Sequence, residues 1–217
     1  MAFIGMVEHS KKVVFCFRIQ NWIVLLFSRS LMKRLLDIVL ILLSLPIMLP
    51  VALIVAIAIK LDSPGPVLYW SERIGRNGRP FIMPKFRSMS VGAPIVEAEK
   101  FTNAGSYITK VGEFIRKTSL DEIPQFWSVL KGDMSLIGPR PLLPIETHVL
   151  ELRKAAGVDK LLPGISGWAQ INGRTCISGD DKASLDIEYM KKHSLLFDIK
   201  IILLTIWKVI KQDDIVH

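Results

Sequence analysis

The sequence predicts an α+β protein, mainly helical, in which a membrane-embedded helix and interfacial amphipathic helices carry a small head with few short strands. Three observations predict it. Residues Ile38 to Ile59, IVLILLSLPIMLPVALIVAIAI, contain no charged side chain. Half of all residues are apolar and the mean hydropathy is +0.38, an excess concentrated in a few segments, as in membrane proteins. Elsewhere apolar residues recur at helical spacing, whereas strand-like runs are brief and bounded by glycine and proline.

The 217 residues suit one domain of ordinary size with enough apolar material for a core. Twenty-eight lysines and arginines against twenty acids leave a formal charge of +8. That excess calls for an anionic partner: nucleic acid, an anionic lipid surface or a phosphorylated small molecule. Helix-turn-helix, RNA-binding-sheet and zinc spacings are all missing from the sequence, so no nucleic acid is expected. Cys16 and Cys176 stand far apart without a metal-like spacing, which fits a reducing compartment and incidental roles.

As one straight helix rising ~1.5 Å per residue, Ile38 to Ile59 would cover a hydrocarbon core of ~30 Å. Both flanks are basic, however. Lys33 and Arg34 precede it, and Lys60, Arg73, Arg76 and Arg79 follow, so the positive-inside tendency draws both ends to the cytoplasm. Pro50 near the centre and Pro46 one turn earlier each remove a helix hydrogen bond, at about 3 kcal/mol in a helix interior. A break there would give two arms that dip roughly 15–18 Å and return on the same side. On these grounds a re-entrant helical hairpin and a plain span stand level.

The chain then divides into a leader (1–31), the membrane helix (32–61) and a head (62–217). The leader carries VVFCFRIQNWIVLLF, interrupted by Arg18, Gln20 and Asn21 and lacking a small-residue cleavage pattern. It reads as an interfacial helix, not a signal peptide. Met32 opens MKRLLD and is a second candidate start, which would make the leader dispensable.

Within the head, Asp62 to Pro66 form a turn and Val67 to Trp70 a short extended stretch. Asn77-Gly78 is a turn before a strand at Phe81 to Met83 and a basic loop with Lys85 and Arg87. Val91 to Thr109 reads as irregular, with helix and surface loop, and Ile108 to Arg116 as a short helix. Ile123 to Leu130 repeats apolar residues at helical spacing and stops at Lys131-Gly132. Glu146 to Gly157 is another helix, followed by the glycine-punctuated loop LLPGISGWAQINGR. Leu185 to His193 and SLLFDIKIILLTIWKVIKQ end the chain as helices. In the last of these, Lys200, Lys208 and Lys211 beside a broad apolar face predict an interfacial helix with snorkelling lysines, the alternative being a buried core helix.

The chemistry concentrates in KTSLDEIPQFWSVLKGDMSLIGPRP. Pro124 sets the helix start near Ser119–Asp121, so Asp121 and Glu122 sit at the N-terminal mouth, where free N–H groups favour negative charge. Ser119-x-x-Glu122 also matches a capping box, in which both side chains only finish the helix. Arg116, Lys117, Arg140, Lys85 and Arg87 lie nearby in sequence. Carboxylates among such cations are expected to stay ionised near neutral pH, as a nucleophile or magnesium ligand must.

Together KFRSM, IRKTSLDEIPQFWSVLKGDMSLIGPRPL, PGISGWAQINGR and FDIKIILLTIWKVI, in order after an apolar segment entered by KRLLD, resemble the bacterial sugar transferase family of monotopic phosphoglycosyl transferases. The likeness runs from about Met32 to the C-terminus. It implies transfer of a phosphosugar from a UDP-sugar to undecaprenyl phosphate at the cytoplasmic face of the bacterial inner membrane. UMP is released and the product begins surface glycan synthesis. It implies Asp121 as covalent nucleophile, with Glu122 as its partner in magnesium binding or proton handling. Lys85, Arg87, Arg116 and Arg140 are expected on phosphate oxygens, whose geometry the arginine fork matches. Gln170 and Asn172 are expected on nucleotide or sugar. The family's membrane segment is a re-entrant hairpin broken at a proline matching Pro50, which selects that topology here.

Leu49 stands where the family commonly has serine, and Pro46 is an extra helix breaker. The reading from another class is a non-catalytic, membrane-tethered basic module that binds anionic lipid or nucleic acid; the organised acids count against it. Neither the sugar nor a homo-oligomer has a signature in the sequence.

Overall fold

The computed structural model describes residues 29–94, 107–173 and 178–211. The expectations for residues 1–28, for 95–106 and for Cys176 lie outside them. The chain divides into two compact units, Met1–Leu36 and Asp37–His217. In the first, the described residues are the opening turns of a helix; the second holds everything below.

Helix α1 (Arg29–Asp62) runs through Pro46 and Pro50 as one element. Its stretch Ser30–Asp62 is long and apolar enough to cross a membrane. The two expected arms are therefore not separated by a loop. Each proline deletes only its own N–H donor, and with φ already helical the chain can bend without leaving the helix. Asp37 accepts from the Ser135 hydroxyl at 2.7 Å and the Leu136 N–H at 3.2 Å. At the other end the Asp62 carboxylate accepts from the Val111 N–H at 3.1 Å. Ile41 packs with Met83, Val129 and Met134, while Val55 and Ile59 pack with Phe86 and Ile115. Between these anchors, residues 42–54 include no buried side chain.

Strands β1 (Leu68–Ile74) and β2 (Pro80–Phe86) form an antiparallel hairpin with Leu68 opposite Phe86 and Ile74 opposite Pro80. It closes at the expected turn, where Asn77 (φ 58°) and Gly78 (φ 72°) take the left-handed conformation that asparagine and glycine tolerate best. Both strands run longer than the sequence indicated. Helix α2 (Lys110–Lys117) is capped by the Thr109 side chain, which accepts from Gly112 N at 2.9 Å. A 3-10 turn (Leu120–Gln125) leads into helix α3 (Phe126–Lys131), stopped by Gly132 in the left-handed region as expected.

Strand β3 (Ser135–Ile137) pairs in parallel with β4 (Gly164–Ser166), a pairing the sequence did not predict. Three residues show no alternation to read. Glycine makes the pairing possible: a Cβ on Gly164 would lie 2.1 Å from the Gly138 nitrogen, and one on Gly167 would lie 2.1 Å from the Gly138 carbonyl oxygen.

Helix α4 (Thr147–Ala156) ends at Gly157, as expected. Helix α5 (Trp168–Gly173) corrects the loop reading of GWAQING: this single turn is held by Ile171 in the core, not by a periodic pattern. Helices α6 (Gly179–Lys192) and α7 (Leu195–Lys211) follow. One face of α7 is buried in the core, as the core-helix alternative requires, and another is apolar and exposed. Ile201 is fully buried against Ile137, Ile171 and Tyr189, and Asp198 accepts from the Tyr189 hydroxyl at 2.7 Å. Leu196, Leu203, Ile206 and Trp207 are exposed. The Lys208 ammonium donates to the Ile171 carbonyl, Lys200 lies 5.9 Å over the Trp168 ring and Lys211 lies 4.9 Å over Trp207.

Candidate active site

The acids are presented by a strained corner. Helix α2 ends where the Thr118 hydroxyl donates back to the Phe114 carbonyl at 2.8 Å. Ser119 then takes φ 57°, ψ 18°, a left-handed conformation unusual for a residue with a Cβ, and redirects the chain into the 3-10 turn. Leu120 and Ile123 fix that turn by packing with Val55, Ile59, Phe86 and Ile115. The capping box does not form: the Ser119 side chain makes no cap bond, and the Ser119 N–H donates to the Arg116 carbonyl at 3.1 Å. The Glu122 carboxylate meets the cations instead.

Lys85 and Arg73 reach the site from the hairpin. Lys85 pairs with Tyr69 and Arg73 with Phe81, so positions 69, 71, 73 and 81, 83, 85 share one face. The Lys85 ammonium donates to Glu122 Oε1 at 2.9 Å and stands 3.6 Å from Asp121 Oδ2. Arg140 Nη1 lies 3.8 Å from the same Glu122 oxygen, with its side chain half exposed. A small cleft lined by Arg73, Lys85, Glu122, Gln125 and Arg140 also takes in Gly164 and Ile165 of the PGISG segment. Asp121 borders this cleft without lining it. It is 7% exposed, and its Oδ1 is buried with no hydrogen-bond partner among the described residues.

Burial pushes the Asp121 carboxyl up to about 6; Lys85, Arg116 and Arg140 pull against that rise, and Glu122 adds to it. Desolvation outweighs the surrounding cations here. Near neutral pH the group is still mostly ionised. Burial also lowers Arg116, and lowers Arg73 to about 10 with help from the Arg140 charge. Arg73 therefore keeps its positive charge at neutral pH.

The backbone around Arg140 is clamped from several sides. Gly138 N–H donates to Ser166 O and Gly164 N–H to Pro139 O, both at 2.9 Å. Arg73 Nη1 donates to the Pro141 carbonyl at 3.3 Å, and Ile74 N–H to Leu142 O at 2.9 Å. Arg153 Nη1 donates to the Arg140 carbonyl at 2.7 Å while its Nε and Nη2 hold the buried Asp186 carboxylate at 2.9 and 2.5 Å. The loop is rigid and the Arg140 side chain projects from it.

Arg87, expected on phosphate, is a correction. Its guanidinium donates to Pro64 O at 2.6 Å and to Ser63 O and Oγ at 2.8 and 2.9 Å, tying β2 to the exit of α1. A Cβ at Gly65 would collide with it at 2.0 Å. Gln170 and Asn172 also do not line the cleft. Gln170 Nε2 donates to the Ile165 carbonyl at 2.9 Å, bracing a residue that does line it, and the exposed Asn172 bonds back to Trp168 O. Sequence reasoning missed Arg73 and Gln125 here. Arg73 read as a membrane-flank charge, although hairpin pairing puts it on the face that carries Lys85; Gln125 is one 3-10 turn beyond Glu122.

Asp121 and Glu122 are the acids present for a divalent cation; among the described residues no group of three or more His, Cys, Asp or Glu could hold one. Two adjacent carboxylates fit magnesium, which commonly binds one or two carboxylates plus substrate phosphates. The unpartnered Asp121 Oδ1 is consistent with such a ligand.

The chain matches relatives over most of its own length. It is 42% identical over 192 residues to the UDP-glucose:undecaprenyl-phosphate glucose-1-phosphate transferase of Escherichia coli strain K12, covering 82% of this chain and 40% of the relative. It is 39% identical over 182 residues to the UDP-N-acetylgalactosamine-undecaprenyl-phosphate N-acetylgalactosaminephosphotransferase of Aeromonas hydrophila, covering 82% of this chain and 43% of the relative. The chain thus spans about two-fifths of the length of these relatives. The bacterial sugar transferase family model matches residues 28–212, and with the acid pair, its cations and the glycine-locked loop all inside that range, the chain belongs to the bacterial sugar transferase family.

Proposed function

We propose that the chain is a phosphoglycosyl transferase that moves a phosphosugar from a UDP-sugar to undecaprenyl phosphate through a covalent bond to Asp121. The single observation that carries this reading is Asp121 itself: a buried carboxylate with one unpartnered oxygen, beside a cleft lined by Arg73, Lys85 and Arg140. The activities named for the relatives support the reaction class, and two of them differ in sugar at nearly equal identity, so the sugar is left as a hexose or N-acetylhexosamine.

In this reading a UDP-sugar lays its diphosphate along the three cations. Asp121 attacks the sugar-bearing phosphorus, the bond to UMP breaks with its electron pair leaving on UMP, and an acyl phosphate remains. A phosphate oxygen of undecaprenyl phosphate then attacks the same phosphorus and frees the carboxylate. One hard displacement becomes two that share a site. Lys85 holds the dyad in place and offsets charge, while Arg73 and Arg140 bind phosphate oxygens. Asp121 and Glu122 would hold magnesium with the substrate, and the ion would neutralise diphosphate charge and favour UMP departure. Burial of Asp121 limits water's access to the acyl phosphate.

The acceptor's phosphate lies at headgroup depth, so the head must sit at the bilayer. Packing supports a re-entrant α1. A straight helix would hold Ile41 and Ile59 ~27 Å apart. Their packing clusters meet on β2 at Met83 and Phe86, ~10 Å apart along a strand, while residues 42–54 between the arms include no buried side chain. A bend at Pro46 and Pro50 brings both arms to one head, and the basic residues at 60, 73, 76 and 79 orient it to the cytoplasm.

The experiment is release of UMP from a panel of UDP-sugars with undecaprenyl phosphate and magnesium. The parent chain should release UMP with at least one donor and Asp121→Asn with none. Equal release by the variant would refute Asp121 as nucleophile.

A further inference from the structure

Gln125 is 2% exposed and lines the cleft, yet its amide nitrogen has no hydrogen-bond partner among the described residues. Buried donors are nearly always paired, because an unmade bond forfeits the water that burial removed. The exceptions call for an acceptor that arrives with a ligand. In a 3-10 turn residues three apart eclipse, so Gln125 stacks on Glu122, and both face the cleft. Asp121, on the same turn, holds the other orphan, Oδ1. One turn therefore carries an unpaired acceptor beside the cleft and an unpaired donor on a residue that lines it, together with Arg73, Lys85 and Arg140.

We propose that Gln125 is a further catalytic residue, whose amide N–H donates to a non-bridging oxygen of the phosphoryl group that Asp121 attacks. This deepens the phosphosugar-transfer reading and rests on it. Asp121 Oδ1 is the attacking atom, since Oδ2 faces Lys85. As the new O–P bond forms and the bond to UMP breaks, the equatorial oxygens change geometry and charge distribution. Gln125 gives up no proton; it holds one such oxygen, and holds it again when the acceptor phosphate displaces Asp121. Because the donor is unpaired in the free protein, no bond has to break for it to act, which is the condition for preorganised stabilisation. A neutral amide also adds a donor without further raising the positive charge around Asp121.

The test uses the full chain in bilayer nanodiscs with undecaprenyl phosphate, magnesium and whichever of UDP-glucose, UDP-galactose or UDP-N-acetylgalactosamine the parent turns over fastest. Gln125→Met keeps the shape and removes the donor. The expected result is a kcat lowered about 10²-fold, the loss typical of one oxyanion-hole donor. KM for the UDP-sugar should stay within about threefold, and Tm should be unchanged or higher because an unsatisfied amide is gone. Unchanged kcat would overturn the proposal, as would a loss expressed only in KM. A fall in Tm accompanying the fall in kcat would overturn it too, since that is the mark of a structural glutamine. If Gln125→Met does not fold, the neutral Gln125→Leu is judged by the same three readings. Parent turnover in the same assay separates the two claims: a parent that releases no UMP from any donor contradicts the reaction, whereas a parent that does so isolates Gln125.

Discussion

Lys85 and Glu122 form a 2.9 Å ion pair in which both side chains are largely buried, and from that position the same ammonium stands 3.6 Å from Asp121. The lysine thus serves both acids, and its loss is felt by both. Lys85→Met should lower UMP release at least about 100-fold, because a phosphate-facing cation worth several kcal/mol in the transition state is gone. It should also move the acidic limb of the pH–rate profile to higher pH, since Lys85 is the largest influence holding the Asp121 carboxyl down. An unmoved limb would place the titrating group elsewhere.

The raised Asp121 carboxyl has two consequences of opposite sign. The nucleophile must be ionised, so the rate should fall about tenfold per pH unit below about 6. For stability, a carboxyl raised in the folded state binds its proton more tightly there than in the unfolded chain. Its contribution is present below the unfolded value near 3.8 and is lost as pH rises through about 6. At pH 7.5 the ionised group is a strain on the fold, and Asp121→Asn should raise stability by about 1–3 kcal/mol while abolishing turnover. Melting curves of the two chains at pH 4 and 7.5 check it: the difference should shrink at the lower pH.

Asp186 and Arg153 are both buried, and burial holds the Asp186 carboxyl above its usual range despite the arginine. Removing one partner leaves the other charge unmatched, at about 3–5 kcal/mol. Arg153→Met should therefore lower Tm sharply. Because Arg153 also supports the Arg140 carbonyl, turnover measured below the new Tm should fall as well. Full activity in the folded variant would show that the loop holds Arg140 without this support.

A re-entrant α1 places both flanks on one face of the membrane. In a chain with Cys16 and Cys176 replaced by serine, Ser30→Cys and Arg79→Cys should react with an impermeant maleimide only from the cytoplasmic side of oriented vesicles. Labelling of the two from opposite sides would make α1 a span.

What could be read from the sequence had local causes. The Asn77-Gly78 turn, the Gly132 and Gly157 helix stops and the apolar run of α1 each follow from a residue's own conformational preference or from a continuous pattern. The acids were legible because they stand side by side in one short motif, and Lys85 because it opens the separate basic motif KFRSM. Contacts between distant segments left no trace: the parallel β3–β4 pair depends on glycines at 138 and 164, and the capture of Arg87 by Ser63 and Pro64 depends on a turn 24 residues away. Ser119 misled for the same reason. Its capping-box spacing is real, but packing of Leu120 and Ile123 beneath the turn drives it into the left-handed region instead.

The most direct measurement is intact and peptide mass spectrometry of the full chain quenched during turnover with its UDP-sugar, before undecaprenyl phosphate is added. A phosphosugar adduct should appear on the peptide containing Asp121, map to that residue, vanish on addition of undecaprenyl phosphate and be missing from Asp121→Asn. Product accumulation with Asp121 unmodified, or an adduct on Glu122, would contradict the account.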